Sequence, residues 1–489
     1  MKQLFLLALL SGALTGLAQK PAKPESYAKT ISADDLKRHL YIIASKEMGG
    51  RETGTEGERK AAAYIENEFK RIGLQPGNGD SYHQFYNLYQ DSLLNATLEV
   101  NGQGYELDRD FNVPVSQNIE ATMRFSEAVF ISADAIDSAR TANLAGKLVI
   151  IHRSPGNNNN NNTQYLNNKG VAAILFISTD FPRTAPANRK GGLSVNTFRR
   201  IVMPQQFSIS ENVARAIMKD NYENLKKAKS VHTIPAQVLL GMRKTSLPVQ
   251  TSNVLGLLPG TDLKDEYLFV TAHHDHLGKR GDSVINYGAD DDGSGTVSVI
   301  EMAEAFAKAK KEGRSPRRSI VFMTVSGEEK GLLGSEYYAA HPIYPMGKTT
   351  ADLNIDMIGR SDPNRTRGDS TNYVYVVGDD KLSSDLRVIS EQANKKYTKL
   401  ELDYKFNDPG DPMMIYYRSD HYNFAKNGVP IIFYFNGTHA DYHRPGDTPD
   451  KINYPLMAKR AQLVFYTAWE MANRDAMLKR DLPLPALRR

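Results

Sequence analysis

The chain has 489 residues, 40% of them apolar, a net charge of +5 and no cysteine. That length holds two or three domains with real cores, and the absence of thiols excludes a disulfide scaffold, a cysteine nucleophile and a thiolate-bound metal. So mild a charge balance predicts no nucleic-acid partner.

Residues 1–18 carry a Lys near the start, an apolar run and a small–x–small step, Gly16-Leu17-Ala18. They read as a secretory signal cut before Gln19, with a short uncleaved anchor as the alternative. No later stretch is long and apolar enough to span a bilayer, so after signal removal no membrane span is expected. Export without disulfides points to a periplasmic or secreted protein.

A linker to about residue 30 follows. Ser32 can then cap a helix containing Leu36, Leu40 and Ile43. A second helix opens on a capping box, Thr55-Glu56-Gly57-Glu58, carries Ile65, Phe69 and Ile72 on one face, and stops at Gly73. Residues 19–95 form the N-terminal part of one domain. Residues 96–245 are an insert of short strands, at 123–132, 146–153, 171–178 and 205–210. The six-Asn run 157–162 reads as a loop, because Asn favours turns.

From 246 to 475 the pattern alternates between strand and helix. Apolar runs at 266–272, 317–325, 373–377 and 429–435 are separated by helices at 295–310, 381–396 and 454–474. Continuous rather than alternating apolar strands indicate a sheet covered on both faces, hence an α/β fold. Residues 476–489 are a tail in which Lys479, Arg480, Arg488 and Arg489 are expected to be solvated.

The chemistry concentrates in five stretches: TAHHDHLG (271–278), GADDDGSG (288–295), SGEEKGLLGS (326–335), NIDMIG (354–359) and DYHRPGDT (441–448). Carboxylates and imidazoles at strand ends and loops are ligands for divalent metals. Asp275 follows His273 by two residues, the same side of an extended segment, and can orient its ring. Three adjacent acids at 290–292 invite a cation, although a helix N-terminus favours negative charge without one. Glu328-Glu329 ends an apolar strand, where a solvated turn is the plainer alternative. Asp356 lies in an apolar context that an unpaired carboxylate would make costly, and either a salt bridge or a metal would satisfy it. A lone His in a loop, such as His443, is usually exposed. Taken together, these residues suit two metal ions sharing one carboxylate.

In this order the motifs HHDHLG, GADDDGSG, SGEEKGLLGS, NIDMIGR and YHRPGDT, with GRETGTEGE (50–58), resemble the co-catalytic two-zinc aminopeptidase family. That family includes bacterial leucyl aminopeptidases and glutamate carboxypeptidase-like metallopeptidases. The resemblance implies a mixed, mostly parallel sheet sandwiched by helices, two Zn²⁺ per chain and a peptide substrate. It places His273 and Asp356 on one zinc, Glu329 and His443 on the other, and Asp291 between them. It makes Asp275 the holder of His273, Glu328 the general base and Tyr442 the oxyanion-stabilising phenol.

The implied reaction is hydrolysis of the N-terminal peptide bond by a metal-bridged hydroxide. Carboxypeptidase, dipeptidase or glutaminyl cyclase activity on the same fold are alternatives, and a catalytically dead binding ectodomain is a further one. The 96–245 insert resembles a β-rich protease-associated domain. Arg418 is expected to pair with Asp420, and His274 and His276 to line the cleft or pack. Neither His421 nor His439 has a place among the implied ligands.

Overall fold

A computed structural model describes residues 23–484 apart from 117, 133–134, 153–160, 187, 197–202 and 282. The signal reading at 1–18 lies outside the described residues. Two compact units emerge. One contains the chain up to Gln84, Asn253–Glu328 and the chain from Tyr338 onward; the other contains Phe85–Ser252 and Glu329–Tyr337.

The first unit is built on a mixed, mostly parallel sheet. Its strands run in the order Glu401–Asp403, Tyr373–Val377, Ile431–Phe435, Thr349–Ile355, Leu263–His273 and Arg318–Val325, followed by the last residues of His232–Leu258. The central four, from Ile431–Phe435 to Arg318–Val325, are mutually parallel. Every residue of Arg318–Val325 and Thr349–Ile355 is buried, which is the reason the run Ile320–Met323 is continuously apolar rather than alternating, while Asp352 and Asn354 are buried polar residues of the second strand. On one face the helices Ala33–Ile43, Glu56–Ile72, Gly295–Lys311 and Tyr454–Asn473 bury Leu36, Phe69, Phe306 and Phe465. On the other, Phe269, Met323 and Phe433 pack with Tyr338 and Phe424. Parallel strands deliver their carboxyl ends to one edge. His273 closes its strand there, Asp356 follows Ile355 directly, and Glu328 comes three residues after Val325.

Ser32 caps Ala33–Ile43 by accepting the Asp35 N–H, and Gly73 ends Glu56–Ile72 in the left-handed region at φ 89°. The capping box does not form. Thr55 donates to the Glu52 carbonyl, and Glu58 turns into the core with its Oε1 3.2 Å from His274 Nε2. A tertiary partner for the carboxylate outweighs the local N–H. In the tail Lys479 and Arg480 are exposed, as expected, and Arg488 and Arg489 lie outside the described residues. Leu478 is nevertheless buried and the Arg480 guanidinium donates to the carbonyls of Met346 and Thr349, so residues 478–480 are anchored.

In the second unit Ala121–Ile131, Leu148–His152, Ala173–Ile177 and Gln205–Ile209 are parallel neighbours. Phe130, Ile150, Leu175 and Phe207 fill one face; Val129, Val149 and Ile174 fill the other. Of the expected Asn loop, 157–160 lie outside the described residues, while Asn161 and Asn162 open the helix Asn161–Asn168. Among the described residues no helix is long and apolar enough to cross a membrane.

Candidate active site

The three consecutive acids of GADDDGSG do different work. Asp290 Oδ1 accepts the Gly359 N–H at 2.6 Å, and its Oδ2 lies 3.2 Å from His439 Nε2. Asp292 accepts three main-chain N–H bonds, from His273 (3.1 Å), Gly295 (2.8 Å) and Met357 (3.1 Å). Both carboxylates therefore hold neighbouring loops in place. The middle one faces imidazoles instead: Asp291 Oδ1 is 3.3 Å from His273 Nε2, and Oδ2 is 3.1 Å from His443 Nε2 and 3.9 Å from His276 Nδ1. The Asp291–Asp292 peptide is cis.

His273 stands at the centre. Its Nε2 is 3.7 Å from Asp356 Oδ1 and 3.8 Å from Glu328 Oε2. Its Nδ1 meets the main-chain carbonyl of Asp275 at 3.1 Å, with the carboxylate 3.6 Å away. The Asp275 carboxylate accepts the Thr53 hydroxyl at 2.7 Å and the Glu328 N–H at 3.2 Å. Asp275 thus ties the His273 ring to the turn Glu328–Lys330, which carries Glu328 and, one residue on, Glu329.

Two further residues that the motifs did not single out support the loops. Asp447 accepts the N–H groups of Asp290 and Asp291. Arg51, fully buried, donates to the carbonyls of His274, Ile43, Tyr287 and Gly288. Both lie inside quoted motifs, GRETGTEGE and YHRPGDT, but their roles depend on carbonyls and amides far along the chain.

The remaining histidines and Arg418 are also placed. His274 sits between Glu58 and the Thr324 hydroxyl, and His421 hydrogen-bonds the Tyr416 carbonyl at 2.8 Å. The expected Arg418–Asp420 pair is replaced: Arg418 donates to the Tyr442 hydroxyl at 3.1 Å, and Tyr442 stacks on His443 with centroids 3.9 Å apart. A cavity is lined by the acids Asp291, Glu328 and Asp356, by the apolar Met357, Ile415, Phe433 and Phe435, and by Arg418, Thr438 and Tyr442.

The electrostatics call for a cation. Burial pushes the Asp291 carboxyl up, but His273 and His443 outweigh burial and hold it well below the usual range. Burial and the Asp356 charge push Asp292 well up, and burial also raises Asp356. Burial lowers His273, yet Glu328, Asp275, Asp291 and Asp356 together raise it well above the usual imidazole value. Excess negative charge thus draws a proton onto His273. Buried His273 Nε2 and Asp291 Oδ2 have no hydrogen bond of good geometry. Unsatisfied donor atoms among buried carboxylates are what a divalent ion would satisfy, so the residues fit one.

Residues 253–468 match Peptidase family M28. The matched segment contains every strand of the first unit's parallel core and Asp275, Asp290, Asp291, Asp292, Glu328, Asp356 and Asp447. A probable zinc metalloprotease of Pyricularia oryzae is 30% identical over 284 residues, covering 49% of this chain and 54% of that protein. Aminopeptidase YwaD of Bacillus subtilis is 22% identical over 491 residues, covering 96% of this chain and 93% of its own. The chain spans about half the length of the first fungal relatives it matches. A solved aminopeptidase from Aneurinibacillus sp. strain AM-1 shares the fold, with a TM-score of 0.58 at 18% identity over 95% of this chain and 100% of that one.

Proposed function

We propose that this protein is an exported zinc-dependent exopeptidase, an aminopeptidase that removes apolar residues from free peptide N-termini. One observation carries the reading. Asp291 faces His273 on one side and His443 on the other, with Glu328 at the cavity edge. In this reading His273 and Asp356 hold one zinc, Glu329 and His443 the other, and Asp291 serves both. Bound there, the ions would polarise the scissile carbonyl and make a water nucleophilic near neutral pH.

Glu328 takes the proton of the attacking water and returns it to the leaving amine. Asp275, through the Glu328 N–H, fixes where that carboxylate stands. Tyr442 accepts from Arg418, so its own proton points elsewhere and can meet the developing oxyanion. The acids of the cavity attract a substrate ammonium, and Met357, Ile415, Phe433 and Phe435 offer an apolar side-chain pocket. Arg418, lining the same cavity, supports a second reading, in which a guanidinium binds a substrate carboxylate and the enzyme works from the other peptide end.

Export is supported by the N-terminal signal pattern, and the parallel sheet of the second unit supports a protease-associated domain there. The test is Glu328→Gln in zinc-quantified protein. Two zincs should remain while turnover falls about 10²–10⁴-fold. Full activity in that variant would refute the mechanism. Peptides beginning with Leu or Phe should be cleaved only when the amino group is unblocked; cleavage that instead requires an unblocked carboxyl end would select the second reading.

A further inference from the structure

Behind Asp356 a file of buried polar side chains leads into the sheet. Asp352, Asn354 and Asp356 alternate along Thr349–Ile355 and the residue after it, and so share one side. Thr271, on the neighbouring parallel strand, is in register with Asn354. Its hydroxyl oxygen lies 2.8 Å from Asp352 Oδ1 and 2.8 Å from Asn354 Oδ1. Asn354 Nδ2 donates to the Ser419 oxygen at 2.9 Å, and the Ser419 hydroxyl hydrogen-bonds the Asp356 carboxylate. Thr271, Asp352, Asn354 and Ser419 are all essentially inaccessible to solvent.

A proton count decides the direction of these bonds. A hydroxyl has one proton, so Thr271 cannot donate to both oxygens. An amide oxygen can only accept. With the Asn354 amide nitrogen committed to Ser419, the Thr271 proton goes to Asn354. The remaining short contact then needs a proton on Asp352. The opposite amide orientation would send the Ser419 proton to Asn354, away from Asp356. It would also leave Asp352 ionised, with its buried Oδ2 lacking any hydrogen bond. The titratable groups facing Asp352 are Asp420, itself fully buried, and the Tyr338 phenol; neither supplies positive charge.

We propose that Asp352 is a neutral carboxylic acid heading a one-way relay, Asp352 to Thr271 to Asn354 to Ser419 to Asp356, that positions Asp356 as a metal ligand. Burial, with Asp420 adding to it, raises the Asp352 carboxyl well above the usual range, in keeping with that protonation. Asp352 is thereby a positioning residue. Its relay fixes one oxygen of Asp356 under a Ser419 donor and so determines which oxygen faces the metal. The link to metal binding rests on Asp356 being a ligand; the protonation of Asp352 does not.

Three variants of the zinc-loaded full chain test this. Infrared spectra at neutral pH should show a protonated-carboxyl stretch that is absent from Asp352→Asn. An unchanged spectrum in that variant would overturn the proposal. Zinc affinity, measured by competition with a chromogenic chelator, should fall about tenfold in Thr271→Val, the scale of losing a ligand's hydrogen-bonded support. Thr271→Ser, which keeps the hydroxyl, should restore it. Asp352→Asn should bind zinc within a factor of about three of the parent, because its amide N–H can replace the acid O–H. A loss in Asp352→Asn as large as in Thr271→Val would show that the charge is needed, against the proposal. Should Thr271→Val not fold, the infrared result with Asp352→Asn still decides. Asp356→Asn serves as the control: unchanged zinc affinity there would refute the ligand reading of Asp356 while leaving the Asp352 band intact.

Discussion

Arg51 shows how much of this site is held by main chain. Its guanidinium donates four hydrogen bonds to carbonyls of the 43, 274, 287 and 288 positions, and so joins the loop after His273 to the loop before Asp290. A lysine keeps the charge but has one nitrogen where arginine has a planar fork. Arg51→Lys leaves at least one of the four buried carbonyls without a donor, at a cost of about 1–3 kcal/mol. The variant is expected to lose about 1–3 kcal/mol in urea unfolding and to retain less zinc after dialysis. A stability within about 0.5 kcal/mol of the parent would show that the loops hold without it. Such a role is invisible in GRETGTEGE, because the carbonyls that Arg51 meets lie at 43, 274, 287 and 288. The acids were legible because three carboxylates in a row and an Asp inside LNIDMI conflict with their local surroundings. Which of the three faces the histidines is less so, because the structural reason lies in amides at 273, 357 and 359.

Among elements, the short helix His421–Ala425 gives a pH signature of its own. The His421 ring stacks on Phe433 at 4.7 Å, and burial pushes its pKa down to about 3 despite the bond to the Tyr416 carbonyl. The folded chain keeps the ring neutral while the unfolded chain protonates it near 6.5. Between about pH 3 and 6.5 the unfolded state therefore binds one more proton, and stability falls as pH falls. His421→Gln should flatten the acid limb of a urea-midpoint profile by about 1.4 kcal/mol per pH unit in that window. An unaltered slope would mean the ring protonates in the folded protein.

Local signals located the elements well where they were complete in themselves: the Ser32 cap, the Gly73 stop, the apolar runs at 317–325 and 429–435. They were weakest for His83–Val100 and His232–Leu258. Polar stretches and Pro235 and Pro248 interrupt the alternation that would betray a strand, and the pairing partners are remote in sequence. Glu58 failed as a cap for the same reason, since its partner His274 is 216 residues away.

For the whole molecule, metal and proton compete for one acid cluster. In the metal-free chain burial and the Asp290 charge raise Asp447 to about 6, and the surrounding carboxylates raise His273 well above 6.5. Both folded-state values exceed the unfolded ones, so the folded chain binds more protons than the unfolded. Metal-free stability therefore declines as pH rises through about 4 to 6 for Asp447, and from about 6.5 upward for His273. Asp447 alone is worth roughly 3 kcal/mol across its window at 1.36 kcal/mol per unit. His421 acts in the opposite sense, but equally in loaded and stripped protein, so it cancels in their difference. In the proposed reading zinc would take the place of the proton on His273 and add about 2.7 kcal/mol at a hundredfold excess over its dissociation constant. The gap in melting temperature between zinc-loaded and chelator-stripped protein should accordingly be wide at pH 7.5 and narrow at pH 5.5. Stripped protein alone should melt higher at pH 5.5 than His421→Gln-corrected titration of the remaining groups would allow for a neutral site. A gap that stays constant over this range would mean that the buried acids and the bound ion are not neutralising one another, and the assignment of the metal to Asp291, His273 and Asp356 would fall with it.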